Sequence, residues 1–174
     1  RVAQLTIQSL TDGLVAYYPF SGDARDATGH ENDGTVNGAT LTTDRAGRPN
    51  SAYAFNGTSA YINCATGPSI NANYLTNFTL AAWIQVTNVG DYRAIVSKHT
   101  VDGTPNGRAE FLFQVKKTDA NLNAFVGDGS DGWFPDPDLN GGVLTMYQWY
   151  HVAFTVTNNQ GFLYLNGRPA ANGS

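Results

Sequence analysis

The sequence predicts an all-β fold, an antiparallel β-sandwich, and three observations support that prediction. Short runs rich in β-branched and aromatic residues recur along the 174 residues and are separated by clusters of turn-forming residues. The 19 Gly and 7 Pro interrupt the chain too often for long helices, so no crossover helix is expected between strands. Twelve Asp against two Glu also favour turns, because Asp bonds the local backbone whereas Glu favours helices.

Two segments alternate between apolar and polar residues, which is typical of strands with one buried face. The first predicts a buried face of Phe78, Leu80, Ala82, Ile84 and Val86, with Thr79, Ala81, Trp83 and Gln85 on the other face. The second predicts Tyr150, Val152, Phe154 and Val156 inside, with His151, Ala153 and Thr155 outside.

Turn signals place further elements between these two segments and around them. Asn-Gly pairs tolerate positive φ and so favour tight turns between antiparallel strands. The remaining predictions are a strand at Gly13–Phe20, a hairpin turn at Asn56-Gly57 between strands 51–55 and 60–64, a long loop over 127–142, and a turn at Asn166-Gly167.

Composition excludes several classes of protein. The net charge is −4, and the 10 Lys and Arg never cluster, which is not the pattern of an electrostatic nucleic-acid binder. No apolar run approaches the ~20 residues of a membrane span, so membrane insertion is not expected. The single cysteine, Cys64, cannot form an intrachain disulfide. The length suits a single domain over 13–174, preceded by residues 1–12 as a lead-in or an exchanged strand.

Three stretches of the chain carry a family resemblance. Residues 13–64 (GLVAYYPFSGDARDATGHENDGTVNG…YINC), the strand NFTLAAWIQV and the segment QWYHVAFTVTNNQGFLYLNGRP occur in the order seen in laminin-G-like domains. These domains are concanavalin A-like jelly rolls related to pentraxins. The resemblance covers roughly residues 13–170 and implies a jelly-roll sandwich. It implies less about function, because the fold carries lectins, adhesins, structural modules and hydrolases.

The resemblance also implies a difference at the C-terminus. Family members usually continue with further strands after the segment that matches LYLNG. We expect one of three situations: an incomplete chain, cover of the open sheet edge by Val2–Leu10, or a strand donated by a neighbouring chain.

The segment from Asp23 to Gly34 is a candidate calcium site, because calcium prefers several carboxylate, amide and carbonyl oxygens. Asp23 and Asp26 supply carboxylates within this loop. The family resemblance implies side-chain ligands at Asp26 and Asn32 and a carbonyl ligand at Gly29. The alternative is a turn rich in Asp and Asn that is held by its own side chains.

The loop over 127–142 is a candidate carbohydrate site. Aromatic rings can stack on the apolar face of a sugar while carboxylates bond its hydroxyl groups. Asp131, Trp133 and Phe134 supply both kinds of group, and Tyr92 and Arg93 are expected to complete the site. The alternative is a loop whose aromatic rings pack into the end of the sandwich.

Catalysis is not expected, because hydrolases of this fold need paired carboxylates on a strand. Glu110 begins a strand but has no carboxylate two or five residues later. The main prediction is therefore a non-catalytic, secreted or cell-surface binding module, stabilised by calcium, that recognises carbohydrate or a cell-surface glycan. The alternative is a structural or assembly module of a fibre, pilus, virion or surface layer, with an open sheet edge paired to a neighbouring chain.

Overall fold

The computed structural model describes residues 13–64, 70, 77–88, 90–100, 108–117, 119–127 and 133–173. Within these ranges, the side chains of 99, 100, 108–110 and 133–138 are not described. The chain forms two compact units, Arg1–Asn73 and Tyr74–Ser174. Residues 1–12 lie outside the described part, and the expectation of one domain over 13–174 stays a prediction.

All regular structure in the described residues is β, which confirms the predicted fold class. The strands of the first unit are β1 (Gly34–Asn37), β2 (Thr40–Thr42), β3 (Ala52–Ala54) and β4 (Tyr61–Cys64). Those of the second unit are β5 (Phe78–Gln85), β6 (Arg93–Thr100), β7 (Arg108–Val115), β8 (Asn121–Gly127), β9 (Trp133–Val143), β10 (Trp149–Thr157), β11 (Gln160–Leu165) and β12 (Arg168–Gly173). No helix long and apolar enough to cross a membrane occurs in these ranges.

The described strands of the second unit form an antiparallel sandwich of two four-stranded sheets. Sheet I has the order β12-β11-β10-β5, and sheet II has the order β6-β7-β8-β9. Phe113, Leu122, Phe154 and Leu163 are fully buried between the sheets. Rings from the two sheets meet there: the Phe113 and Phe154 centroids lie 6.1 Å apart.

The alternation predicted for β5 and β10 is confirmed. Their apolar positions pack on the core cluster, whereas Trp83 and His151 lie on the opposite face of sheet I. The turn at Asn166-Gly167 is also confirmed, with φ of 50° and 76°, and it joins β11 to β12.

Three local predictions are wrong. Segment Gly13–Phe20 forms no strand, because its polar backbone groups bond the loop that follows it. The strands on either side of Asn56-Gly57 pair with β2 and β1 rather than with each other. The segment predicted as a loop over 127–142 contains most of β9, which pairs with β8.

In its described residues, the first unit forms two two-stranded ribbons, β1 with β4 and β2 with β3. Gly34 begins β1 at a tight contact. A Cβ atom there would lie 2.6 Å from a methyl carbon of Ile62 and 2.9 Å from the carbonyl oxygen of Ala24. Only glycine therefore fits where the turn over residues 23–33 enters its ribbon.

Candidate functional site

The carboxylate of Asp26 is the centre of a hydrogen-bonded turn. Its Oδ1 accepts from the backbone N–H of Tyr17 at 3.0 Å, and from the N–H and hydroxyl of Thr28 at 2.9 and 2.7 Å. Its Oδ2 accepts from the Thr28 hydroxyl at 2.8 Å and from the backbone N–H of Asn32 at 3.3 Å. The side chain of Asp26 thus connects three backbone positions that lie up to 15 residues apart.

These hydrogen bonds control the ionisation of Asp26. Burial disfavours the charged form and acts to raise the pKa. The hydrogen bonds from Thr28, Tyr17 and Asn32 outweigh burial and lower the pKa to about 2. The carboxylate is therefore ionised at neutral pH because its donors stabilise the negative charge.

The other members of the predicted calcium site take part in the same turn or lie exposed beside it. Asn32 is fully buried and donates its amide to the Val15 carbonyl oxygen at 3.0 Å. Asp23 is exposed and accepts from the backbone N–H of Arg25 at 3.1 Å. Gly29 has a φ of 84°, which the bend of the loop requires.

This donor set does not fit a calcium ion bound to Asp26. An ionised carboxylate has about four acceptor positions, and four donor groups already converge on this one, with the Thr28 hydroxyl shared between its two oxygens. A cation would have to displace some of these donors. Within the described ranges, no three His, Cys, Asp or Glu residues come together to hold a metal. The geometry favours the alternative of a self-bonded turn, and calcium binding stays a prediction.

Two of the residues predicted to bind carbohydrate lie at the start of β6. Tyr92 is exposed, and the Lys117 ammonium lies over its ring, 5.4 Å from the centroid. The Arg93 guanidinium lies 4.0 Å from a carboxylate oxygen of Asp91. Lys117 thus occupies one face of the ring that a sugar would stack on.

The other predicted ligand residues lie at the opposite edge of sheet II. Trp133 and Phe134 belong to β9 and pair with Gly127 and Val126 of β8, while Asp131 falls outside the described residues. Arg93 lies on β6, at the other edge and towards the other end of the sheet. Strand geometry places these two pairs of residues about 20 Å apart, so the structure does not bring them together as one site.

The outer face of sheet I brings together aromatic residues that are distant in sequence. Cross-strand pairing aligns Trp83 with His151, Ala81 with Ala153 and Tyr164, and Thr79 with Thr155 and Phe162. We call these eight residues the aromatic face. The small side chains of Ala81 and Ala153 form a low floor between the larger groups.

Trp83 and His151 form one border of the aromatic face. The two ring centroids lie 5.3 Å apart in an edge-on arrangement, and Trp83 is 47% exposed. The backbone of His151 bonds Asn166 in both directions: its N–H donates to Asn166 Oδ1 at 3.0 Å, and its carbonyl accepts the Asn166 N–H at 2.8 Å. This places His151 against Trp83 on a regular strand.

A groove of about 430 Å³ marks the opposite border of this face. It lies between β11 and β12 and is lined by Phe162, Tyr164, Pro169, Ala170, Ala171 and Asn172. Pairing shifts register there, since Leu163 pairs with Ala171 whereas Tyr164 pairs with Pro169. Ala170 is therefore an extra residue in β12, and the resulting bulge widens the space beside the two rings.

Comparison with known proteins bears on the fold of the whole chain. A family model described as the concanavalin A-like lectin/glucanases superfamily, of the laminin-G type, matches residues 55–174. This is more than half of the chain. The chain belongs to this superfamily. This match confirms the resemblance to laminin-G-like, concanavalin A-like domains that the sequence indicated.

A solved structure supports the same fold. It is domain 4 of AbnA, a GH43 extracellular arabinanase from Geobacillus stearothermophilus, in complex with arabinotriose. The TM-score is 0.62 at 18% sequence identity, over 92% of this chain and 74% of that one. At this identity, the likeness shows that the two domains share a fold. No curated protein matches the sequence at a significant level.

The sequence contains a signal for Trp83 that the site predictions did not use. The solvent-side positions of β5 read Thr, Ala, Trp and Gln, so one large aromatic residue stands among small and polar ones. The contribution of β11 is harder to find, because Phe162 and Tyr164 become neighbours of Thr155 and Ala153 only through the strand pairing.

The prediction of an exchanged strand is left untested by the described residues. Strand β12 pairs with β11 and forms one edge of sheet I in this part of the chain. Segment Val2–Leu10 lies outside the described residues, so cover of an edge by this segment stays a prediction.

Proposed function

We propose that this lectin/glucanase superfamily member is a non-catalytic carbohydrate-binding module of a secreted protein and that its ligand lies on the aromatic face of sheet I. The observation that carries the proposal is the exposed ring of Trp83, fixed by His151 beside a floor of two alanines. A sugar ring has an apolar C–H face and hydroxyl groups around its edge. An exposed indole on a flat surface provides a platform for that apolar face.

The polar groups of the face suit hydroxyl recognition. The hydroxyl oxygens of Thr79 and Thr155 lie 3.3 Å apart beside the alanine floor, and Tyr164 adds a phenol to the same surface. Such groups both donate and accept hydrogen bonds, as a neutral sugar does. The eight residues of the aromatic face include no Asp, Glu, Lys or Arg, so a neutral ligand is expected.

A binding role is favoured over hydrolysis by the composition of this face. Glycoside hydrolysis needs two carboxyl groups on either side of the bond that breaks. The eight residues of the aromatic face include no Asp or Glu. The AbnA domain, which comes from an extracellular arabinanase and was solved in complex with arabinotriose, makes arabino-oligosaccharides the first ligands to try.

A glycan array that includes arabino-oligosaccharides tests this proposal. Wild-type protein is expected to bind a related set of glycans, and Trp83→Ala is expected to lose that signal. Tyr147→Ala is the matched control, because Tyr147 is also an exposed aromatic residue but lies outside the aromatic face. Binding that survives in Trp83→Ala and disappears in Tyr92→Ala would place the site at β6 instead. A folded protein that binds no glycan would contradict the proposal.

A further inference from the structure

The groove between β11 and β12 is a separate feature of the aromatic face with its own chemistry. Two rings, Phe162 and Tyr164, stand on one side of it, and Pro169 and Asn172 stand on the other. An aromatic and proline surface suits the apolar face of a sugar, while the Asn172 amide and the Tyr164 hydroxyl can bond its hydroxyl groups.

Two small side chains lie in the row of the sheet that runs beside Trp83 and leads to this groove. Ala81 on β5 and Ala153 on β10 lead to Tyr164 on β11 in one row, beside the row of Trp83 and His151. Neighbouring strands lie about 4.8 Å apart, so the distance from β5 to the groove is about 12 Å. That distance is about the length of three linked sugar residues, and it exceeds the size of one.

We propose that the aromatic face binds a linear oligosaccharide laid across the strands of sheet I, with one sugar on Trp83 and another in the groove beside Tyr164. This inference rests on the proposed function and adds the length and direction of the ligand. The alanine floor carries the sugar between the two contacts. A monosaccharide reaches only one of these contacts, whereas a trisaccharide reaches both.

The bulge at Ala170 explains why the second contact exists at this place. In a regular β11–β12 ladder, the side chains of successive pairs would stand side by side above the sheet. The extra residue separates Pro169 from Ala171, and Ala170 and Ala171 line the groove while they also pack against the core. A sugar ring therefore meets a recess bounded by rings rather than a flat row of side chains.

Isothermal titration with ligands of increasing length tests the inference. The probes are arabino-, xylo- and cello-oligosaccharides of one to five residues, used with wild type, Trp83→Ala and Tyr164→Ala. For the series that binds, affinity is expected to rise about tenfold or more from one residue to three and then to level off. Tyr164→Ala is expected to remove this gain, so that the affinities for one and for three residues become about equal.

Two control variants separate loss of the contact from loss of the fold. Tyr164→Phe keeps the ring and is expected to keep most of the length dependence. Asn172→Ala removes an exposed amide from the far side of the groove and is expected to weaken only ligands of three or more residues. Melting temperatures for all variants show whether sheet I is intact.

The outcomes distinguish this inference from the proposed function. Binding with the same affinity for one and for five residues, or full trisaccharide affinity in folded Tyr164→Ala, would overturn the two-contact ligand and leave the binding function standing. A folded protein that binds none of the three series and no glycan on the array would overturn both.

Discussion

The turn around Asp26 and the aromatic face of sheet I both contain side chains of the kinds that bind ligands. In the turn these side chains bond the protein itself, whereas on the aromatic face they are exposed or half-buried. In the turn, the carboxylate of Asp26 is already bonded by Tyr17, Thr28 and Asn32. On the aromatic face, Trp83 is 47% exposed and its neighbours leave a low floor beside it. A dense set of polar residues can therefore serve the fold alone, whereas an exposed ring on a regular strand is available to a ligand.

The difference has a physical origin in burial. A buried polar atom must find a partner within the protein, because leaving it unpaired costs about 1–3 kcal/mol. The Asp26 carboxylate, 8% exposed, meets that requirement by bonding the nearby backbone. An aromatic ring at the surface has no such requirement, so the chain can keep it exposed at little cost.

Substitution of Asp26 tests the structural side of this comparison and is expected to have the largest effect on stability. Asp26→Ala leaves the backbone N–H groups of Tyr17, Thr28 and Asn32 without their acceptor. We expect a loss of about 3 kcal/mol in the free energy of unfolding, measured by urea denaturation.

Glycan affinity supplies the control for this variant. None of the groups that Asp26 bonds belongs to the aromatic face, so affinity is expected to stay within about twofold where the variant is folded. The milder Thr28→Val, which removes one hydroxyl donor to the same carboxylate, is the fallback if Asp26→Ala does not fold. Stability unchanged in both variants would contradict the role given to the turn.

Acid is expected to weaken the same turn. The folded pKa of Asp26 is lowered to about 2, whereas an unperturbed Asp has a pKa of about 3.9. The stabilisation is therefore fully present above about pH 4 and is lost as the pH falls towards about 2. Asp26→Asn should show a shallower loss of stability across this window, measured by thermal melts from pH 5 to pH 2. Equal slopes for the two proteins would assign the acid sensitivity to other carboxylates.

Calcium is expected to have the smallest effect on stability. Adding it tests whether hydrogen bonds occupy the acceptor positions of Asp26. Because the hydrogen bonds to Asp26 use its acceptor positions, adding calcium or a chelator should shift the melting temperature by less than about 1 °C. A concentration-dependent rise with calcium that Asp26→Asn abolishes would show that the ion replaces these donors. The calcium prediction drawn from the family resemblance would then be correct.

The sequence predicts this fold well where each strand alternates, as in β5 and β10. The sequence-based strand predictions fail where hydrogen bonds from side chains determine which backbone groups pair. Segment Gly13–Phe20 has strand-like residues, but its backbone bonds the Asp26 turn instead of a neighbouring strand. At Asn56-Gly57, the Asn56 side chain accepts from the N–H groups of Thr58, Ser59 and Ala60, so the turn serves strands that pair elsewhere.

The candidate site could be predicted only in part, because it depends on register. The alternating sequence pattern predicts that Trp83 and His151 lie on the outer sides of their strands. Their contact, however, requires the pairing of β5 with β10, and the groove requires a bulge in β12 that no local signal marks. Conversely, the sequence predicts that Tyr92 completes the site of Trp133 from a neighbouring strand, and the strand order of sheet II separates the two residues.

The tryptophan indole N–H signals in an NMR titration test the central claim most directly. The chain has three tryptophans, Trp83, Trp133 and Trp149, so single Trp→Phe variants assign each signal. Titration with the sugar identified on the array is predicted to shift the Trp83 signal saturably, with the same dissociation constant as calorimetry. A saturable shift of Trp133 with Trp83 unmoved would contradict this account and place the ligand at β9.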